Sequence, residues 1–241
     1  MHWSSALRAA ARNTQGRGAV LLSAFALACA VLPAQQPAAP RFLVVLDAAH
    51  GGDDAGGRLA SGKSEKDATL SLSVRLRSLL AARGIAVVTT READTALDAD
   101  RRAGIANHAR AAACLSLHVT ESGSGIHLFT SDLAPLSPAP RFLAWKTAQA
   151  AWLARSLALS GSLNSALQRA NINVTLGRTA LPAVDSMTCP AVALELAPER
   201  DAKGAVTAEP DDPDYQSRIA STLAAALLDW RSNARTEARQ P

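Results

Sequence analysis

The sequence predicts an α/β domain built on a mostly parallel, twisted central sheet flanked by helices on both faces. Two observations carry this. Short continuous apolar runs bounded by turn residues read as buried strands, and segments with apolar residues at helical spacing lie between them. Parallel strands need crossovers, and helices supply them.

The elements follow in chain order. Phe42–Asp47 (FLVVLD) is the first apolar run, and a Gly/Asp-rich loop follows from Ala48 to Ser64. Leu72, Leu76, Leu79 and Leu80 form the stripe of an amphipathic helix, which Gly84 ends. Ile85–Thr89 reads as a strand, Asp98–Ala112 as an Ala/Arg-rich helix, and Ala113–Val119 and Ile126–Phe129 as two further strands. After the Pro-rich Leu136–Pro140, Phe142–Leu159 and Leu163–Ala170 read as two helices. Ala191–Leu196 (AVALEL) is a late apolar strand, and Ala202–Asp212 a polar loop. Tyr215, Ile219, Leu223, Leu227 and Trp230 make a last helical stripe.

The chain has 241 residues and a formal net charge of +4. Residues 1–34 contain Arg8, Arg12 and Arg17, no acidic residue, and an uncharged run from Ala19 to Leu32 ahead of Pro33-Ala34. A basic start, a short apolar stretch and a small residue before a polar segment are the pattern of an export signal. The run is short for a membrane span, which needs roughly 20 apolar residues. A retained N-terminal anchor and lipidation at Cys29 are the lesser alternatives. The three arginines account for most of the net charge, so the remainder is near neutral and has no Lys/Arg run for nucleic-acid binding. Three cysteines exclude a disulfide-rich scaffold and a multi-cysteine zinc module. The expected organisation is a signal peptide at 1–34, a linker at 35–40, one α/β domain at 41–234 and a polar tail at 235–241. The mature chain is expected to be an exported monomer in the periplasm or cell envelope, without a membrane span.

Of five histidines, His50 directly follows the first predicted strand and His118 nears the end of the third. Glu65 stands at the start of the first long helix, and Glu195 near the end of AVALEL. In α/β sheets, ligands bind outside the carboxyl ends of the strands. Two histidines and a carboxylate suit a catalytic zinc with one position open, and a second carboxylate suits a general base. Spacing alone leaves other readings open. A histidine at a strand end is often a hydrogen-bonded core residue. Glu65 also fits a first-turn carboxylate facing the helix dipole, and Glu195 a buried ion-pair partner.

The segment VVLDAAHGGDDAGG, with His50, Gly51-Gly52, Asp54 and Gly56, resembles the opening of zinc-dependent N-acetylmuramoyl-L-alanine amidases of the amidase_3 family. The resemblance continues through Glu65-Lys66-Asp67, Thr90-Arg91, Arg102, Ala106-Asn107, Ser116-Leu117-His118 and Ser124-Gly125-Ile126. It closes on Pro190-Ala191-Val192 and Glu195, and so covers roughly residues 42–234. It implies one zinc ion on His50, Glu65 and His118, with Glu195 as the catalytic carboxylate. The implied substrate is peptidoglycan, cut at the amide between the lactyl group of N-acetylmuramic acid and L-alanine. Three departures stand out: Ala49 where the family usually has Gly, Thr120 where it often has Asn near the metal, and Ala197-Pro198 where it has Gly-Phe. They keep open a non-hydrolysing peptidoglycan-binding or regulatory domain on the same fold, and the sequence leaves any activator unidentified.

Three further features carry open readings. Asp47 is a candidate to orient a ligand histidine through its other ring nitrogen, or a strand-end turn former. Arg178, in an expected loop, is a candidate contact for an acidic stem peptide or a surface residue. Phe142, Trp145 and Trp152 read more readily as core than as a cleft border, and Cys114 and Cys189 more readily as buried free thiols than as a disulfide.

Overall fold

The computed structural model describes residues 42–136 and 141–237. The predicted signal peptide, the linker and Cys29 lie outside these residues. Six strands form the main sheet: β1 (Leu43–Ala48), β2 (Ala86–Thr89), β3 (Ala113–Val119), β4 (Ile126–Ser131), β5 (Val174–Thr179) and β6 (Ala191–Leu196). Their order is β2-β1-β3-β6-β4-β5. Every neighbouring pair is parallel except β4 with β6. Two short strands, β7 (Glu199–Arg200) and β8 (Val206–Ala208), pair separately.

Alternation along the strands sorts side chains onto two faces, because successive residues point oppositely. Val44, Leu46, Leu115, Leu117, Leu194 and Leu196 belong to the larger core, with the leucines of α1 (Glu65–Ala82), α3 (Leu153–Arg169) and the apolar stripe of α5 (Pro213–Glu237). Each fully buried leucine contributes about 1.5–3 kcal/mol. The opposite parity, Val45, Cys114, Ala191 and Ala193, packs with α2 (Ala99–Ala109) and the short α4 (Pro182–Asp185). Asp47, Ser116, His118, His127 and Glu195 share that second parity. The large helices thus cover one face, and the polar positions gather on the other.

Differences from the sequence expectation have local causes. β5 was expected as loop. It is an edge strand, mostly exposed and interrupted by Gly177, so it carries no two-sided apolar signal. α3 runs through Ser160-Gly161-Ser162, where two helices were expected to part. Leu159, Leu163 and Leu167 bury one continuous stripe, which outweighs the ~1 kcal/mol helix penalty of a glycine. The preceding segment Trp145–Ala151 is a 3-10 turn kinked at Thr147. The aromatic residues there are accordingly not core: Phe142 is 83% exposed, Trp145 47%, and Trp152 is half-buried. α5 continues to Glu237, into the segment expected as tail. Cys114 and Cys189 form a disulfide, against the favoured expectation of free thiols. β3 and the turn before β6 bring the two cysteines together on one face of the sheet.

Candidate active site

The site grows from the end of β1. His50 follows β1 with a left-handed φ of 60°, a conformation L-residues reach only when the surroundings hold it. Two buried arginines hold it. Arg102 of α2 donates to the carbonyls of Ala48 at 2.6 Å and His50 at 2.7 Å, and to the Asp47 carboxylate at 2.8 Å. Arg91 donates to Ala48 O and Ala49 O, both at 2.9 Å, and to Lys66 O in α1 at 2.7 Å. The turn and the start of α1 are thereby tied together. Ala49 does not adopt a left-handed φ, so this position does not require glycine.

Glu65, the first residue of α1, turns its carboxylate toward both histidines. His50 Nε2 lies 3.1 Å from Oε2, and His118 Nδ1 lies 3.2 Å from Oε1. The Gly57 and Val119 N–H groups donate to the same two oxygens. Burial pushes the Glu65 carboxyl up, but the His118 and His50 bonds and the Gly57 N–H outweigh it and hold it well below the usual carboxylate range. The nearby Gly56 has φ +65°, and a Cβ there would stand 2.6 Å from the His50 ring and 2.7 Å from Glu65 Oε2. Glycine therefore leaves the room in which the two ligands meet. One ligand atom from each of His50, Glu65 and His118 lies within 4.8 Å of the other two.

The outer nitrogens show whether this group suits a cation. His50 Nδ1 sits 2.8 Å from Asp54 Oδ2. A carboxylate only accepts, so that nitrogen carries the hydrogen, and in the neutral ring Nε2 offers a lone pair. The Ser116 hydroxyl donates to Asp47 Oδ2 at 2.9 Å, leaving its oxygen to accept from His118 Nε2 at a long 3.5 Å. In the tautomer with the hydrogen on Nε2, His118 Nδ1 presents a lone pair on the side of Glu65. Two imidazole lone pairs and an ionised carboxylate, each oriented from outside, fit zinc.

Asp47 touches neither ligand histidine directly. It is buried and accepts from Arg102, Thr90 and Ser116, and it reaches His118 only through the serine. Asp54 holds His50 instead. Arg178 lies on β5, where it donates to Ser131 O and Leu133 O beyond β4. Thr120 closes a local turn by accepting the Ser122 N–H. The Ala197-Pro198 departure keeps a backbone ladder, with Ala197 N on Gly125 O and Gly125 N on Pro198 O.

Glu195 stands beside His118 in parallel register and opposite His127 in antiparallel register. His127 Nδ1 is 2.9 Å from Glu195 Oε2. Nothing in the sequence around His127 marks it for a role, since it lies at the beginning of its strand. The histidine pair lines a cavity of about 460 Å³, together with the apolar Leu97, Leu181, Pro182 and Val184 and the polar Asp47 and Arg102. α3 packs in the larger core on the opposite face, and the cavity lining includes none of its residues.

A three-donor group that could hold a metal ion, at the carboxyl edge of a mostly parallel sheet and with a further carboxylate in register beside it, marks an α/β domain with the donor set of the metallohydrolase class. Residues 44–229 match the family described as N-acetylmuramoyl-L-alanine amidase (Amidase_3), and the chain belongs to that family. A 90-residue segment is 39% identical to the endolysin of Bacillus phage SPP1, covering 36% of this chain and 33% of that protein. A 91-residue segment is 34% identical to the germination-specific N-acetylmuramoyl-L-alanine amidase of Bacillus subtilis (strain 168), covering 32% of this chain and 38% of that protein. The matched segments thus span between a third and two fifths of these curated relatives. Among solved structures, the catalytic domain of CwlV, N-acetylmuramoyl-L-alanine amidase from Bacillus (Paenibacillus) polymyxa var. colistinus, superposes with a TM-score of 0.60 at 24% identity. The superposition covers 79% of this chain and 98% of that domain, so the two share a fold.

Proposed function

We propose that the protein is a zinc-dependent peptidoglycan amidase that cleaves the bond between the lactyl group of N-acetylmuramic acid and L-alanine. The convergence of His50, Glu65 and His118, each oriented from outside, carries the reading. These three residues would hold one zinc ion. Bound there, zinc supplies Lewis-acid polarisation of the scissile carbonyl and acidification of a water.

Everything else is work for the chain. Glu195 takes a proton from the attacking water and returns it to the departing amine of L-alanine. The cavity at the cluster accepts substrate groups flanking the scissile amide, offering them both apolar side chains and the Asp47–Arg102 pair. The site acts in the periplasm or cell envelope, where a disulfide such as Cys114–Cys189 persists. The working form is a monomer.

Incubation with purified sacculi is expected to release free stem peptides. Chelator should abolish the release, added zinc should restore it, and Glu195→Ala should lower it by at least about 10²-fold. Intact muramoyl-peptide bonds after incubation with folded, zinc-replete protein would sink the reading.

A further inference from the structure

We propose that His127 positions Glu195 for proton transfer, an inference that rests on the role given to Glu195 above. His127 is the second residue of β4, the strand that runs antiparallel to β6, and its Cα pairs with that of Glu195. The pairing puts both side chains on one face of the sheet, with Nδ1 2.9 Å from Oε2. The carboxylate accepts, so Nδ1 donates. Occupying Oε2 leaves Oε1 as the oxygen that takes and returns the proton.

The ring is held in a slot. A Cβ at Gly123 would stand 2.4 Å from His127 Nε2 and 2.6 Å from Cε1, so the backbone of Gly123 lies directly against the ring. Gly123 has φ +81°, and its carbonyl is in turn held by Arg200 Nε at 3.0 Å. Phe129, two residues along on the same face, meets the ring edge-on with centroids 6.3 Å apart. The His127 side chain is only 14% exposed, whereas that of Glu195 is 33% exposed. The better buried, backbone-locked imidazole therefore sets the rotamer of the more open carboxylate. A carboxylate that serves first as base and then as acid gains from being held in one place through both steps, because misplacement costs rate rather than binding.

The test compares purified, zinc-loaded variants on a soluble muramoyl-peptide, with zinc content and thermal midpoint measured for each. His127→Leu is expected to lower kcat about 10- to 100-fold while KM stays within about twofold. His127→Asn, whose side-chain nitrogen takes the place of ring Nδ1, is expected to recover kcat to within about fivefold of the parent. In a Glu195→Gln background, His127→Leu should cost nothing further, because the group it positions no longer transfers a proton. An unchanged kcat in His127→Leu overturns the inference. So does a change confined to KM, a failure of Asn to do better than Leu, or an equal loss in the Glu195→Gln background. If Glu195→Gln itself keeps the parent kcat, the role of Glu195 fails, and that result is distinct from a failure of His127 alone.

Discussion

His50 is the residue on which charge and metal compete. In the metal-free chain its imidazole is raised above the ordinary value. The Glu65 hydrogen bond is the main cause, burial opposes it, and Asp54 adds to the rise. For the metal-free fold the sign is that of any raised histidine. The contribution is fully present below pH about 6.5 and is lost as pH rises through the higher folded value. For the metal the sign reverses, because coordination needs the neutral ring and releases its proton. Glu65, held low, stays ionised and does not compete. Apparent zinc affinity is therefore expected to fall as pH drops from 8 to 6, approaching tenfold per unit for each proton displaced. Titration against a chromophoric chelator measures it, and an affinity flat over that range would contradict the assignment of His50 as a ligand. Above the folded His50 pKa, where the ring is already neutral, Asp54→Ala should make His50 a poorer ligand, since it frees the outer nitrogen; below it, the lost carboxylate also eases proton competition and the deficit should shrink.

Among elements, the turn from β1 into His50 depends on side chains from two others. The Arg102 guanidinium and the Asp47 carboxylate are both nearly excluded from water and lie 2.8 Å apart. Removing one partner of such a pair leaves a buried charge without compensation. Arg102→Met is expected to cost about 3–5 kcal/mol and to weaken zinc binding, because the His50 and Ala48 carbonyls also lose their donor. Urea unfolding of the metal-free protein measures the first effect. A loss below about 1 kcal/mol would mean that the turn holds without the arginine. The elements themselves were largely legible. β3 and β6 have the expected bounds because buried parallel strands appear as unbroken apolar runs. β5 was not legible, since an edge strand exposed on most of its length has no such run. That His50, Glu65 and His118 meet was implied by the family resemblance, because their places at strand ends and a helix start left other readings open for each. His127 was missed for a topological reason. It stands at the start of its strand, which in a purely parallel sheet would face the opposite edge. Only the reversal of β4 against β6 returns it to Glu195. Nor could spacing show that Asp47 spends its oxygens on Arg102, Thr90 and Ser116, because those partners come from three separate segments.

At the scale of the whole molecule, the site and the disulfide occupy opposite ends of the same two strands. Cys114 pairs in register with Ala191 near the beginning of β3 and β6, and His118 pairs with Glu195 near their end. At about 3.3 Å per residue, the four residues from Cys114 to His118 place the bridge about 13 Å along the strand from the reacting groups. The bridge closes a loop with a sequence separation of 75, and that loop contains β4, α3 and β5. Restricting so long a loop in the unfolded chain is worth on the order of 2–4 kcal/mol. The smaller core, which holds both cysteines, consists mostly of alanines and valines and gains less from burial per residue than the leucine-rich face. Stability and chemistry should therefore separate. Replacing both cysteines with alanine, or producing the protein under reducing conditions, is expected to lower the thermal midpoint by roughly 5–15 °C. Zinc content and kcat at 25 °C should remain within about twofold of the parent, because no site group touches the bridge. Calorimetry with and without reductant, alongside turnover of a soluble muramoyl-peptide, separates the two effects. A collapse of kcat at a temperature where the reduced protein is still folded would show that the bridge also sets the strand register that seats His118 beside Glu195.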